Sequence, residues 1–357
     1  MNFDYKIIGV MSGTSLDGLD LAYCGFSNVK GSWSYTVLDA VTIPYSTEFK
    51  AKLSGLVHVS ALELVKMDTE LALFIADAIL GFLKKGYPLP DLISSHGHTV
   101  FHQPAATITT QIGNGALIAA KTGIAVVSDF RTTDVALGGQ GAPLVPIGDK
   151  FLFGDYDACL NLGGFSNISY NINGKRVAFD IAPCNMPLNR IAAELGFDFD
   201  KNGLIAESGK LSAALLEELN SLDYYALKGA KSLSYEWFEH HFWPLLKKYD
   251  VETKDKLRTV TEHIACQISN AFTCMNGETV LATGGGAKNK FLLKRVTEMS
   301  GKQVMLPDER TVDFKEAIVF AFLGLLRVRG EINCLKEVTG ASADSCSGAL
   351  YLPPTTI

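Results

Sequence analysis

Long apolar runs are missing from this chain of 357 residues. The longest, such as Ala317 to Leu326, reach about ten residues, whereas a membrane-spanning helix needs ~20, so no membrane partner is expected. An excess of positive charge is missing too: 32 Lys and Arg stand against 38 Asp and Glu, a formal net charge of −6. That balance lacks the basic footprint of a nucleic-acid binder, and no nucleic-acid partner is expected. Cysteine is sparse and unpatterned, with seven residues at 24, 159, 184, 266, 274, 334 and 346 and no C-x-x-C pair. An odd count without metal-ligand spacing argues against a disulfide framework or a zinc site and suits free thiols in a reducing compartment. Asp4-Tyr5-Lys6 runs straight into the strand-like Ile7-Ile8-Gly9-Val10, with no basic segment leading a long apolar one. No signal peptide is read there, and a cytoplasmic location is expected.

Familiar catalytic signatures are also absent. The chain has no G-x-x-x-x-G-K-[ST] loop, no G-x-G-x-x-G, no H-E-x-x-H and no G-x-S-x-G. The pair His240-His241 stands among Trp237, Phe238 and Trp243, a composition that suits packing or surface.

Strands and helices alternate along the rest. Residues 5–12, 19–26 and 33–43 read as strands joined by turns. Helices are expected over 46–57 and 60–85, and a short buried strand over Leu92–Ser95 leads to His96-Gly97-His98. A helix at 114–122 and a strand at 124–127 precede a Gly/Pro-rich loop, 131–148, the best candidate for a boundary. The opening grammar then recurs about 150 residues later: strand 158–162, a small-residue turn 163–167, strand 168–171, the Asn173-Gly174 hairpin, and strand 176–180. Helices at 184–196, 210–220, 234–248 and 255–275, a strand at 280–283, and helices at 288–300 and 314–328 complete the chain. Two similar α/β halves imply two lobes with ligands at loop ends between them. The expected division is 1–150, rejoined by 340–357, and 151–339.

Three small-residue clusters follow strands, at 12–18, 163–167 and 284–286. Each is a tight turn, or a nest whose backbone N–H groups cradle phosphate, with glycine permitting close approach. Gly13, Thr14, Ser15 and Gly18 lie in the first, where Thr14 and Ser15 could offer hydroxyls to phosphate. Asp17 or Asp20 could orient Mg²⁺ through water, since that ion prefers oxygen ligands and keeps several waters. Ser166 and Asn167 offer the same chemistry in the second half. Gly284, Gly285 and Gly286 leave bare backbone for a base or ribose.

These residues carry a resemblance. Gly9-Val10-Met11-Ser12-Gly13-Thr14-Ser15-Leu16-Asp17-Gly18-Leu19-Asp20 resembles the opening signature of the anhydro-N-acetylmuramic acid kinases. The likeness continues through Ser95–Thr99, Gln111–Gly113, Asp129–Arg131, Gly138–Pro146, Asn161–Ile168, Phe179-Asp180, Thr283–Asn289 and Lys315–Ala317. It implies a two-lobed actin-like ATPase (ribonuclease H-like) α/β fold, with mixed sheets flanked by helices and a central cleft. It implies ATP and Mg²⁺ as cofactors, a small sugar as substrate and a homodimer. The implied reaction opens the 1,6-anhydro bridge of the sugar and phosphorylates O6, in the recycling of cell-wall sugars.

The resemblance makes Asp180 the general base. It also adds Asn161, Gly163, Gly164 and Asn289 to the ATP-binding set. Asp129 and Arg131 would belong to the substrate-binding set, Arg131 meeting the sugar's carboxylate or a phosphate with its planar fork, or the two would form a local ion pair that only positions the loop. His96 and His98 would line the sugar pocket or serve structure. Glu316 would face the cleft, or simply favour a helix start through the dipole. On composition alone Asp180 would be a turn former. The metal ligands stay open.

Three places depart from the family pattern. Asp180-Ile181-Ala182-Pro183-Cys184-Asn185 replaces Asp-Thr-Gly-Pro-Gly-Asn, His98 replaces a Gln, and Asn114-Gly115 replaces Asp-Pro. All three fall on the implied sugar side. A kinase of another (anhydro)sugar, or a nucleotide-binding regulator without catalysis, are the alternatives.

Overall fold

A computed structural model describes residues 3–13, 16–229 and 231–354. The chain divides into two compact units, Met1–Leu152 with Phe314–Ile357, and Phe153–Asp313. The expected return at 340 is thus corrected to Phe314, and the division at 150 moves to 152. The reason is the helix Glu309–Arg329, whose apolar residues from Ala317 to Leu326 are buried. A run that apolar must stay against one core, and it carries the chain back into the first unit.

The first unit is built on a six-stranded sheet. Its strands are β1 (Tyr5–Ser12), β2 (Gly18–Val29), β3 (Ser32–Pro44), β4 (Leu92–Ser95), β7 (Val126–Ser128) and β13 (Ala349–Tyr351). The order is β3-β2-β1-β4-β7-β13. β1, β2 and β3 form an antiparallel meander, while β4 lies parallel to β1 and β7 parallel to β4. Helix Ala61–Leu83 starts at Ser60, whose hydroxyl accepts from the Glu63 N–H at 3.3 Å, a cap that the S-x-x-E spacing encodes. Its buried Leu71, Ile75 and Ile79 pack with Ile8, Val10 and Ile93. On the other side, Gly9 lets the helix Glu309–Arg329 close onto β1. A Cβ there would stand 1.9 Å from the Ala317 carbonyl oxygen.

A small hairpin, β5 (His98–Gln103) with β6 (Ile108–Ile112), lies outside the expected elements. The loop expected over 131–148 holds a short helix, Thr132–Ala136, and the start of another, Pro146–Leu152.

The second unit carries β8 (Ala158–Leu162), β9 (Phe165–Ile172), β10 (Lys175–Pro183), β11 (Thr279–Thr283) and β12 (Gln303–Met305) in the order β10-β9-β8-β11-β12. Asn173 and Gly174, at φ 51° and 78°, make the tight β9–β10 turn. Helix Thr253–Phe272 buries Val260, Ile264 and Ile268 in the core with Phe238 and Phe242. The expected helix 234–248 widens to a π turn over Phe238–Phe242. Pro244 accounts for this, because it has no N–H for the preceding turn. His240 and His241 on that segment are both exposed.

Candidate active site

One row of residues crosses the second sheet. Thr283 on β11 pairs with Asn161 on β8, Asn161 with Asn167 on β9, and Asn167 with Asp180 on β10. Three polar amide or hydroxyl side chains and one carboxylate therefore share one level of the sheet. Asp180 sits inside β10, at a bulge between Asp180 and Ala182, and is not a turn former. Bulges commonly re-aim a side chain. The Leu233 N–H donates to Asp180 Oδ2 at 2.9 Å. Burial raises the Asp180 carboxyl above its ordinary value, and that N–H pulls in the opposite direction. A carboxylate with few donors and a raised pKa is a better proton acceptor near neutral pH.

The bulge is closed by Ser166. Its buried hydroxyl donates to the Ala182 carbonyl at 3.0 Å and accepts from the Ala182 N–H at 3.2 Å. The hydroxyl expected to meet phosphate is thus committed to the sheet, a correction to that expectation. Asn167 keeps a half-exposed side chain in the row.

The glycines of this unit fall into two kinds. Gly284 has φ 84°, and a Cβ there would lie 2.6 Å from Asn161 Oδ1. At Gly286 a Cβ would lie 2.7 Å from Asn185 Oδ1. These two are glycine because the protein itself crowds them. At Gly163, Gly164 and Gly285 a Cβ would meet nothing closer than 3.4 Å. Their bare backbone is open to a ligand. Asn289 turns its Oδ1 to the Leu292 N–H at 3.0 Å and caps helix Lys290–Ser300, so that oxygen serves the fold.

The altered turn after Asp180 points inward. Ala182 and Cys184 are fully buried among the core residues of the unit. Burial pushes the Cys184 thiol up to about 12, so it stays a neutral, inert packing group. The Cys184 and Asn185 N–H groups donate to the carbonyls of Gly164 and Gly163 at 2.7 and 3.0 Å. The two side chains that replace glycine thus add bulk to the core.

In the first unit the polar residues gather after β4. Arg131 donates from Nε and Nη2 to Nε2 of His96, at 3.0 and 2.9 Å, and from Nη1 to the Gly141 carbonyl at 2.5 Å. His96 Nδ1 faces its neighbour Gly97's carbonyl at 2.9 Å, which fixes the proton on Nδ1. Burial and the Arg131 charge hold His96 well below its ordinary pKa. Burial likewise brings Arg131 down to about 10, while Glu316, Cys334 and Asp134 act to raise it.

Asp129 does not pair with Arg131 in this arrangement. Its Oδ1 accepts from Thr132 Oγ1 at 2.6 Å and from the Thr132 N–H at 3.3 Å. Its φ of 58° is unusual for a residue other than glycine. His98 stands apart from His96: its Nδ1 meets Ser12 Oγ at 3.3 Å, and that hydroxyl accepts from Tyr45 at 2.8 Å. Asn114 caps helix Gly115–Thr122, and a Cβ on Gly115 would clash with Ser128 Oγ at 2.5 Å. The Asn-Gly departure is therefore fitted to its own neighbours.

Asp20, opposite Met11 in the sheet, accepts from Thr42 Oγ1 at 2.6 Å. Glu316 lies well inside helix Glu309–Arg329, which corrects the expectation that it begins a helix. Desolvation by the surrounding protein raises its carboxyl; Arg131 acts to lower it and Asp20 to raise it. Two carboxylates and a guanidinium are thus within electrostatic reach in this unit. The neighbouring Lys315 pairs with Asp149 at 2.7 Å, both buried.

Thr14 and Ser15 lie outside the described residues. Gly13 accepts a turn bond from the Leu16 N–H at 3.3 Å, Asp17 is exposed, and Gly18 begins β2. Sequence reasoning missed Asp134, which is fully buried. It accepts from the Gly141 N–H at 2.7 Å, Thr339 Oγ1 at 2.7 Å and Cys334 Sγ at 3.1 Å. It is the post around which the glycine-rich loop winds. Two of its three partners, Cys334 and Thr339, lie 200 and 205 residues away along the chain, and no local signal announces them.

Both sheets share one plan. An antiparallel meander of three strands is followed by parallel strands, with the first strand of the meander in the middle. That plan, occurring twice, defines an actin-like ATPase fold of the ribonuclease H-like class. The chain belongs to the anhydro-N-acetylmuramic acid kinase family, whose model matches residues 5–353. The anhydro-N-acetylmuramic acid kinase of Vibrio parahaemolyticus is 37% identical over 374 residues, covering 98% of this chain and 99% of that protein. That of Pseudomonas syringae pv. syringae is 36% identical over 369 residues, with the same coverage. Among solved structures, the activator of the 2-hydroxyisocaproyl-CoA dehydratase from Clostridium difficile aligns at 13% identity with a TM-score of 0.44. It covers 95% of this chain and all of that one.

Proposed function

We propose that this chain is an ATP-dependent kinase that opens 1,6-anhydro-N-acetylmuramic acid with water and phosphorylates O6. The products are N-acetylmuramic acid 6-phosphate and ADP. Family membership supports the substrate, and the observation that carries the chemistry is Asp180, a carboxylate of raised pKa aligned with Asn167, Asn161 and Thr283.

Asp180 takes a proton from water as that water attacks the anomeric carbon. The bond from that carbon to O6 breaks, and O6 takes the γ-phosphoryl group as ADP leaves. Because phosphorus captures O6, no second carboxyl group is needed to protonate it, unlike in two-carboxylate glycosidases. Gly163, Gly164 and Gly285 present open backbone to the nucleotide. Arg131, held by His96 and Gly141, offers its planar guanidinium to the lactyl carboxylate.

Mg²⁺ supplies charge neutralisation on the transferring phosphoryl group. Among the described residues no group of three or more His, Cys, Asp or Glu is arranged to hold a metal. The donor set fits an ion that arrives with the nucleotide and keeps its waters, with Asp17 and Asp20 as outer carboxylates. The same reading includes a cytoplasmic role in cell-wall sugar recycling and a homodimer. No helix among the described residues is long and apolar enough to cross a membrane.

The test is incubation with Mg·ATP and the anhydro-sugar in ¹⁸O water, reading ADP release and product mass. The expected product is the sugar plus one phosphoryl group and one labelled water. ADP release that ignores the sugar would overturn the assignment.

A further inference from the structure

Asp180 lies on β10, the edge strand of its sheet. Its outward-facing backbone groups have no neighbouring strand, and a buried edge group left unpaired is costly. Tyr224, Lys231 and Leu233 supply what is missing. The Asp180 N–H donates to the Lys231 carbonyl at 3.0 Å. The Tyr224 hydroxyl donates to the Asp180 carbonyl at 2.6 Å. The Leu233 N–H reaches the carboxylate itself at 2.9 Å. These three residues, a strap along the edge strand, thus hold the N–H, the C=O and Oδ2 of the same residue.

The strap is itself fastened at its Tyr224–Tyr225 end. Lys231 Nζ donates to the Tyr224 carbonyl at 3.2 Å and lies 4.5 Å from the centre of the Tyr224 ring. Tyr224 packs on Trp237 at 5.3 Å and is buried. Next to it, the Tyr225 hydroxyl meets Nε2 of the fully buried His263 at 2.9 Å. His263 Nδ1 meets Asn220 Oδ1 at 2.7 Å, where Gln267 also donates at 2.8 Å. The support therefore runs from the edge strand into helix Thr253–Phe272.

We infer that Tyr224 is a positioning residue for the reaction, setting the height and angle of the Asp180 carboxylate through the strap, with the Leu233 N–H as the final contact. This inference rests on Asp180 being the general base. A base displaced by about 1 Å can cost ~100-fold in rate, so a single hydroxyl that fixes the backbone has leverage. The titratable groups facing Asp180 from the strap are Tyr224 and Lys231, and the neighbour across β9 is the uncharged Asn167. With the strap loosened, the Leu233 donor is weakened, and a contact that favours the ionised carboxylate goes with it.

Tyr224→Phe removes one hydroxyl and keeps the ring packed on Trp237. The expected result is a fall in kcat of roughly tenfold, an unchanged dissociation constant for ATP, and an acidic limb of the kcat/KM profile moved to higher pH. Leu233→Pro, which deletes the donor to the carboxylate, should move the same limb in the same direction. A second readout does not need turnover: the Asp180 carboxyl is titrated by ¹³C NMR, its signal identified by its loss in Asp180→Asn. If both variants lower the melting temperature but leave the acidic limb and the Asp180 titration where they are, the strap only stabilises and the inference falls. If the wild type does not act on the sugar while Tyr224→Phe still shifts the Asp180 titration, the strap stands and the substrate reading fails.

Discussion

The guanidinium of Arg131 places two donors on one acceptor, Nε2 of His96, at 3.0 and 2.9 Å. The imidazole is kept neutral for this purpose, with its proton on the Nδ1 that faces Gly97. Its ring lies 4.6 Å from Phe320. Arg131 is thereby held in one orientation without a carboxylate contact, and its charge is not cancelled at short range.

Arg131→Lys keeps the charge and loses the fork. The expected outcome is a KM for the anhydro-sugar raised about ten- to a hundredfold, as befits the loss of a charge-assisted bidentate contact. ATP binding, measured by calorimetry, should be unchanged. An unaltered sugar KM would remove Arg131 from the substrate site.

The two classes of glycine separate folding from ligand contact. Gly284→Ala forces a left-handed φ and a clash with Asn161, and should cost on the order of 1–3 kcal/mol in urea unfolding. Gly285→Ala meets only ordinary contacts at 3.6 Å and should fold with near wild-type stability. Its ATP affinity should drop, because the new methyl stands where the backbone is open. Equal stability loss in both variants would contradict the distinction.

Much of this was legible in the sequence, and the limits have physical causes. The two meanders announced themselves through β-branched alternation and the Asn173-Gly174 turn, and Ser60-x-x-Glu63 marked a helix start. The β5–β6 hairpin has no two-residue Asn-Gly or Asp-Gly turn to announce it: residues 104–107 connect the strands, and the left-handed position falls on Thr107 at φ 58°, although Ile108-Thr109-Thr110 is β-branched. The domain return was misplaced because helix periodicity cannot say which core a helix joins. Within the site, Asp180 and Arg131 stood in recognisable motifs. Tyr224, Leu233 and Asp134 did not, since their roles come from contacts 7 to more than 200 residues away. Ser166 shows the opposite failure, a motif hydroxyl that the bulge consumes.

His263 gives the fold a pH dependence of defined sign. Burial pushes its imidazole down to about 3, so the folded protein leaves it neutral where the unfolded chain protonates it. The contribution is fully present above about pH 6.5 and is lost as pH falls below that value. His96 and His98, also lowered, act in the same direction. Asp180 and Glu316, raised, act in the opposite one, gaining as pH falls from their raised values toward the ordinary carboxylate range. The His263 share is isolated by comparing wild type with His263→Gln. Wild type should lose about 1.4 kcal/mol more than the variant between pH 7.5 and 5.5, read by urea unfolding. Parallel pH curves would contradict a neutral buried His263.

The central claim is that Asp180 accepts the proton of the attacking water, and Asp180→Asn tests it most directly. The asparagine keeps the size of the side chain and can still accept from Leu233, but it cannot take the proton. Sugar-dependent ADP release should fall by about 10²–10⁴-fold, while ATP and the anhydro-sugar still bind with near wild-type affinity in calorimetry. Turnover within a few-fold of wild type in that variant would contradict the account.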